Sequence, residues 1–294
     1  MAFKYGVSAI NWSNEDILEF GDHYTADDIL GQMSALGFKG TEYSRKFPSS
    51  PADLKGMMAQ YGMELTSQWN SVHFSEPSRI EEELQAFYKR VDFLHEMGCK
   101  HVVTCDCGNA IEDLEANKVE IAPLTEKQWE SLAAGLNQAG AYCSSKSMKL
   151  VYHFHGETVI ETEEQIDRLM ASTNPEYVHM LFDTGHAYYG GADPLQLLQK
   201  HISRVAYVHL KDIREEELQK LRHSGLRFRV GVRAGVFTVP GDGCIAFQPI
   251  LQLLKDSGYD GWIIIEAEQD PEKANPKEYA QKAIAYLRSI IMME

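Results

Sequence analysis

Apolar positions along the chain fall into two alternating rhythms. Short runs rich in β-branched and other apolar residues appear as FKYGVSAI near 3–10, GFKGTEYS near 37–44, GMELTSQW near 62–69 and CKHVVTCD near 99–106. They return as MKLVYHFH near 148–155, VHMLFDTGH near 178–186, RVAYVHLKD near 204–212 and GWIIIEAE near 261–268. Between them apolar residues recur at helical spacing, as in Ile29, Met33 and Leu36, in Phe87, Val91 and Leu94, and in Ile166, Leu169 and Met170. Gly37, Gly62 and Gly98 each follow such a stretch and precede a strand, where a left-handed helix cap favours a residue without Cβ. Strand followed by helix, eight times, predicts an α/β chain with a parallel sheet closed into a single (β/α)8 TIM barrel over 1–294. The competing doubly wound open sheet usually carries a glycine-rich phosphate turn after its first strand, and SAINWSNED has none.

No composition shift marks a domain boundary. A long insertion at about 213–245, REEELQKLRHSGLRFRVGVRAGVFTVPGDG, parts the seventh strand from its helix; it opens charged and helical, then turns glycine-rich. Long loops at this end of a barrel commonly cover an active site.

Composition narrows the function. With 294 residues and 44% hydrophobic content the chain buries a large core, and 28 Lys plus Arg against 43 Asp plus Glu give a formal charge of −15. Such a charge repels nucleic acid. No apolar run reaches the roughly 18 residues of a membrane span, and MAFKYGVSAINWS lacks the features of a signal peptide, so the expected setting is cytoplasmic, with no membrane partner. Five scattered cysteines do not form a disulfide framework, and the Cys105–Cys107 pair lacks the second pair that would complete a soft-metal site.

Barrel enzymes place their chemistry at the C-terminal ends of the strands. Here those ends carry Trp12, Glu42, Gln68, Trp69, Asp106, His153, His155, Asp183, His186, His209, Lys211, Asp212, Glu266 and Glu268. Period-two alternation puts His153 with His155, His209 with Lys211, and Glu266 with Glu268 on common faces. Any one histidine there is ordinarily a hydrogen-bonded structural residue. Four consecutive strands delivering imidazole or carboxylate to one rim point instead to a divalent cation, since unbalanced carboxylates repel one another. Mixed nitrogen and oxygen ligands suit Mn²⁺, Co²⁺, Fe²⁺ or Zn²⁺ better than Ca²⁺.

DTGH at 183–186, VHLKD at 208–212 and the terminal IIIEAE resemble the metal-binding strands of the xylose-isomerase-like barrel superfamily of sugar isomerases, ketose epimerases and apurinic endonucleases. More narrowly, IDRLMASTNP at 166–175, FTVPGDG at 237–243 and EAEQDPEKANP at 266–276 resemble the inosose dehydratase family, which removes water from 2-keto-myo-inositol. The resemblance implies metal ligands at Asp183, His209 and Glu266, with a fourth from strand five. Much of the superfamily has Glu there; this chain has His153, followed by His155, with Glu157 as another source of that ligand. It also implies Mn²⁺ or Co²⁺ and leaves glutathione open as a cofactor, although no residue shows a site for it.

Dehydrating a cyclic 2-ketone requires removal of an α-proton, stabilisation of the enediolate and protonation of the departing hydroxyl. Lys211 or His155 is the expected base and His186 the acid, while a metal charge would depress the Lys211 pKa. Trp12 and Trp69 are candidates to stack on a cyclitol, and Glu42, Gln68 and Glu268 to bind its hydroxyls; barrel filling, or for Lys211 a salt bridge, is the plainer role. Arg227, Arg229 and Arg233 in the insertion could balance rim carboxylates, reach a partner in a homo-oligomer, or lie in solvent. The alternatives to a dehydratase are a ketose isomerase or 3-epimerase and a non-catalytic sugar-binding barrel.

Overall fold

The computed structural model of the chain describes residues 3–113 and 118–291, so the outermost residues of the expected span 1–294 lie outside the described ones. Along it run strands β1 (Lys4–Val7), β2 (Gly40–Glu42), β3 (Glu64–Ser67), β4 (Trp69–Val72), β5 (His101–Asp106), β6 (Ala110–Asp113) and β7 (Lys118–Ile121). Then come β8 (Lys149–His153), β9 (Val178–Asp183), β10 (Val205–Leu210), β11 (Asp212–Ile213), β12 (Phe237–Thr238) and β13 (Trp262–Ile265). Nine of these form one sheet, in the order β3-β2-β1-β13-β10-β9-β8-β5-β4. Its two end members, β3 and β4, are separated in the chain by Gln68 alone. They are two halves of one interrupted strand, so the nine correspond to the eight expected.

By contacts the chain divides into two compact units, Met1–Thr66 with Val208–Glu294, and Ser67–Tyr207. In the first, β13 pairs in parallel with β1 and with β10, placing Gly6 opposite Ile264 and His209 opposite the same residue, while β1 pairs on its other side with β2. The strands crowd where their side chains are smallest. A Cβ on Gly6 would lie 2.6 Å from Ile264 Cδ1, and one on Gly40 2.6 Å from Thr66 Cγ2, so glycine is required at both for close approach. In the second unit β4, β5, β8 and β9 pair in parallel, with Trp69 opposite Val103 and His153 opposite Leu181.

The helices begin and end where local chemistry directs. Thr25, Thr125 and Thr162 close capping boxes at the starts of helices Ala26–Ala35, Glu126–Ser145 and Glu163–Ser172. Gly62 and Gly98 end theirs with φ of 61° and 88°, and Gly37 follows its cap with φ of 87°. Ile29, Met33, Phe87, Val91, Leu94, Ile166, Leu169 and Met170 are all buried, as the spacing predicts; Leu36 caps its helix. No described helix is long and apolar enough to cross a membrane.

The insertion opens with the expected helix, Glu215–Ser224, but its glycine-rich part carries a second one, Phe228–Ala234. Gly231 lies inside that helix because a Cβ there would come 2.5 Å from Leu221 Cδ2, so the glycine lets it lie against its neighbour. β11 and β12 pair antiparallel around the two helices, Asp212 opposite Thr238.

Candidate metal centre and its surroundings

In the second unit two strand ends carry candidate ligands. β8 ends on His153, whose Nδ1 lies 2.6 Å from the Phe154 carbonyl oxygen. A carbonyl only accepts, so in the neutral ring Nδ1 carries the hydrogen and Nε2 the lone pair. That Nε2 is 3.7 Å from Asp183 Oδ2, and both side chains are buried. Asp183 ends β9 and caps the short helix Thr184–Tyr189, its Oδ1 accepting from His186 N–H at 2.8 Å. The cap holds the carboxylate still while Oδ2 faces His153. Two electron-rich atoms facing each other at this separation, away from water, suit a shared cation.

His155 and His186 lie ring against ring, tilted by 35° with centroids 3.8 Å apart. His155 Nδ1 lies 2.8 Å from the Gly156 carbonyl, which makes it a donor and leaves Nε2 the acceptor. His186 is the reverse: its Nδ1 accepts from Gly156 N–H at 3.2 Å, so its hydrogen is on Nε2. The Trp69 ring, 40% exposed, stands edge-on at 5.4 Å from both His153 and His155.

In the first unit the polar groups form one chain. Glu42, at the end of β2, has Oε1 2.9 Å from His209 Nε2, and His209 Nδ1 lies 3.2 Å from Glu266 Oε2. The backbone N–H of Glu266 donates to the Leu210 carbonyl at 3.1 Å, extending the β10–β13 ladder by one residue and setting Glu266 beside His209. Lys211, fully buried, has Nζ 2.6 Å from Glu266 Oε1 and 2.8 Å from Glu268 Oε1, and 5.2 Å from the Phe237 ring centroid. The plainer reading of Lys211, a salt bridge to a rim carboxylate, thus describes its contacts here.

His153, Asp183, His209 and Glu266, all buried, offer ligand atoms that lie within 4.8 Å of one another, and this group could hold a divalent metal ion. The same measure joins His155, His186 and Glu268. The donor set fits: two imidazole nitrogens and two carboxylates suit Mn²⁺, Co²⁺, Fe²⁺ or Zn²⁺. Glu157 is outside both groups; its backbone has φ of 56° and its N–H donates to Glu161 Oε2.

Among the other rim residues, Trp12, Asp106 and Asp212 are held by bonds within the protein. Trp12 is fully buried and its Nε1–H donates to Gln32 Oε1 at 2.9 Å, in the helix packed on it. Gln68 is half-buried at the break between β3 and β4. Asp106 accepts from Ser75 N–H and Oγ–H and from Gly108 N–H; burial pushes its carboxyl pKa up, with these bonds opposing. Asp212 accepts from four backbone N–H groups, those of Ile213 and Ile245 on Oδ1 and of Gly241 and Gly243 on Oδ2. The sequence reading did not give Asp212 this role; the signal for it was the paired glycines of VPGDG. In the insertion Arg229 meets Asp16, and Arg233 meets Glu19 and lies over the Phe20 ring, both in solvent-exposed ion pairs, whereas Arg227 is buried.

The model of the xylose isomerase-like TIM barrels matches residues 30–290, and the chain belongs to that family. Within it the likeness is narrower. An inosose dehydratase of Geobacillus kaustophilus (strain HTA426) is 48% identical over 292 residues, 98% of this chain and 95% of that protein. Another, of Geobacillus thermodenitrificans (strain NG80-2), is 43% identical over 97% of this chain and 96% of its own length. Among solved structures, a probable 3-DHS dehydratase from Bacillus anthracis superposes with a TM-score of 0.72 at 14% identity, covering 97% of this chain and 99% of that one. A D-allulose 3-epimerase from Methylomonas sp. in complex with D-allulose gives 0.70 at 16% identity, covering 98% and 96%. At such identities the superpositions speak for the fold alone.

Proposed function

We propose that this chain is a metal-dependent hydro-lyase that removes water from 2-keto-myo-inositol, giving a trihydroxycyclohexane-1,2-dione in inositol catabolism. The reading rests on the buried group of His153, Asp183, His209 and Glu266, found in a chain 48% identical to an inosose dehydratase. We assign those four residues as ligands and Mn²⁺ or Co²⁺ as the ion. Such an ion, when bound, would supply Lewis acidity toward the negative charge that develops as the α-proton leaves, worth several kcal/mol.

The remaining chemistry falls to the adjacent histidines His155 and His186. His155, with its lone pair on Nε2, takes the α-proton; His186, with its hydrogen on Nε2, gives a proton to the β-hydroxyl as the C–O bond breaks. One proton is taken and one is given, water leaves, and the enol that remains tautomerises to the dione. Lys211 is the other candidate base, but its ammonium is shared by Glu266 and Glu268, and charge balance beside the ketone is the role those contacts support. Trp69 offers an exposed ring to the apolar face of the cyclitol, with Gln68 and Glu268 for its hydroxyls. Trp12 and Glu42 have partners within the protein, Gln32 and His209, and are not needed as substrate contacts.

The test is incubation with 2-keto-myo-inositol and Mn²⁺, with and without glutathione, following ultraviolet absorbance of the dione and product mass. Loss of one water with rising absorbance is expected. Isomeric ketoses of unchanged mass would overturn the reading in favour of an isomerase or epimerase; tight binding without turnover of any ketocyclitol would leave a sugar-binding barrel.

A further inference from the structure

We propose that Glu42 is a positioning residue for the metal centre: it fixes the tautomer of His209, so that Nδ1 and not Nε2 is the atom offered to the ion. The inference rests on the metal reading above and is indifferent to which substrate is turned over.

An imidazole coordinates through one nitrogen, and the bond made by the other decides which. Here the two nitrogens meet different carboxylates. Nε2 lies 2.9 Å from Glu42 Oε1, and Nδ1 lies 3.2 Å from Glu266 Oε2. A carboxylate oxygen accepts, and one flanks each nitrogen, but Glu42 is the nearer and Glu266 is already engaged by Lys211, so the hydrogen goes to Nε2 and the lone pair falls on Nδ1, beside Glu266. Glu266 is oriented to match, because Lys211 occupies its Oε1 at 2.6 Å and leaves Oε2 on the His209 side. Glu42 is 8% exposed, so little water competes for that bond. In His153 a backbone carbonyl has this place, its Nδ1 facing the Phe154 oxygen. A backbone carbonyl survives mutation of its residue; Glu42 does not, which makes this part of the centre open to a single substitution.

Two measurements test it. Titration calorimetry of the metal-free protein with Mn²⁺ is expected to give an affinity about 10- to 100-fold weaker for Glu42→Gln than for the natural chain. Gln keeps the shape but loses the charge, and its amide can turn an N–H toward Nε2. In ¹⁵N-histidine-labelled, metal-free natural protein, His209 is expected to carry its hydrogen on Nε2. An Mn²⁺ affinity unchanged within about twofold together with a raised KM would overturn the inference and return Glu42 to the substrate. An Nδ1–H tautomer in the natural protein would overturn it alone, whether or not the variant folds. Failure of the natural protein to bind Mn²⁺, Co²⁺ or Zn²⁺ would instead strike the metal reading, and the tautomer would still decide whether Glu42 orients His209.

Discussion

His155 and His186 have the same ring and lie against each other, yet Gly156 sets them in opposite tautomers through its carbonyl on one and its N–H on the other. This predicts a split between two variants. His155→Gln is expected to lower both dehydration and exchange of the substrate α-proton with deuterated solvent, by about 10²–10⁴-fold, the range for loss of a general base. His186→Gln is expected to lower dehydration by a similar factor while exchange continues, because proton removal does not need the acid. Exchange lost in His186→Gln and kept in His155→Gln would reverse the assignment. The residue types at these positions were legible from alternation along β8, which predicts His153 and His155 on one face. Which nitrogen bears the hydrogen was not, because that depends on backbone atoms of Phe154 and Gly156 whose directions no residue type specifies.

The insertion after β10 is a built element anchored on a buried carboxylate. Asp212 gathers N–H groups from Ile213, Gly241, Gly243 and Ile245, and the chain between carries two helices tied further by Arg214 to Asp242, Thr238 and the Gly235 carbonyl. Burial pushes the Asp212 pKa up, and the four amides oppose that shift by bonding the ionised form. Asp212→Asn replaces one accepting oxygen with a donor and strands two amides, each worth about 1–3 kcal/mol when buried without a partner. A loss on the order of 2 kcal/mol or more is expected in urea melts. Gly243→Ala acts at the same point, since its Cβ would fall 2.3 Å from the Ile213 carbonyl oxygen and 2.4 Å from Asp212 Oδ1. The two losses should therefore not add in the double variant; full additivity, or an Asn variant as stable as the natural chain, would remove Asp212 as the anchor. The first helix of this element was legible in REEELQKL. Its second helix was hidden because Gly231 reads as a breaker, and only the nearness of Leu221 explains it.

At the scale of the whole chain, the eight strand segments and the helix caps were readable because each is a local pattern repeated: β-branched runs, apolar residues at helical spacing, glycine at the joins. The β6–β7 hairpin was missed, lying as it does between the fourth strand and its helix with no comparable apolar run. Acid stability is a property of the whole fold that the sequence did not disclose, because it depends on where each histidine lies. His179, the second residue of β9, has its pKa lowered to about 4, first by burial and then by the nearby positive charges of Lys149 and Arg204. An unfolded histidine titrates near 6.5, so between pH of about 6.5 and about 4 the unfolded chain binds a proton that the folded chain refuses. Stability must then fall as the medium is acidified through that window, and be unaffected by this group above it. His179→Gln is expected to flatten the fall, measured as urea midpoints against pH with a chelator present so that protonation of metal ligands does not add to the slope. Identical slopes for the variant and the natural chain between pH of about 6.5 and about 4 would show that His179 is charged in the folded protein and that the acid sensitivity lies elsewhere.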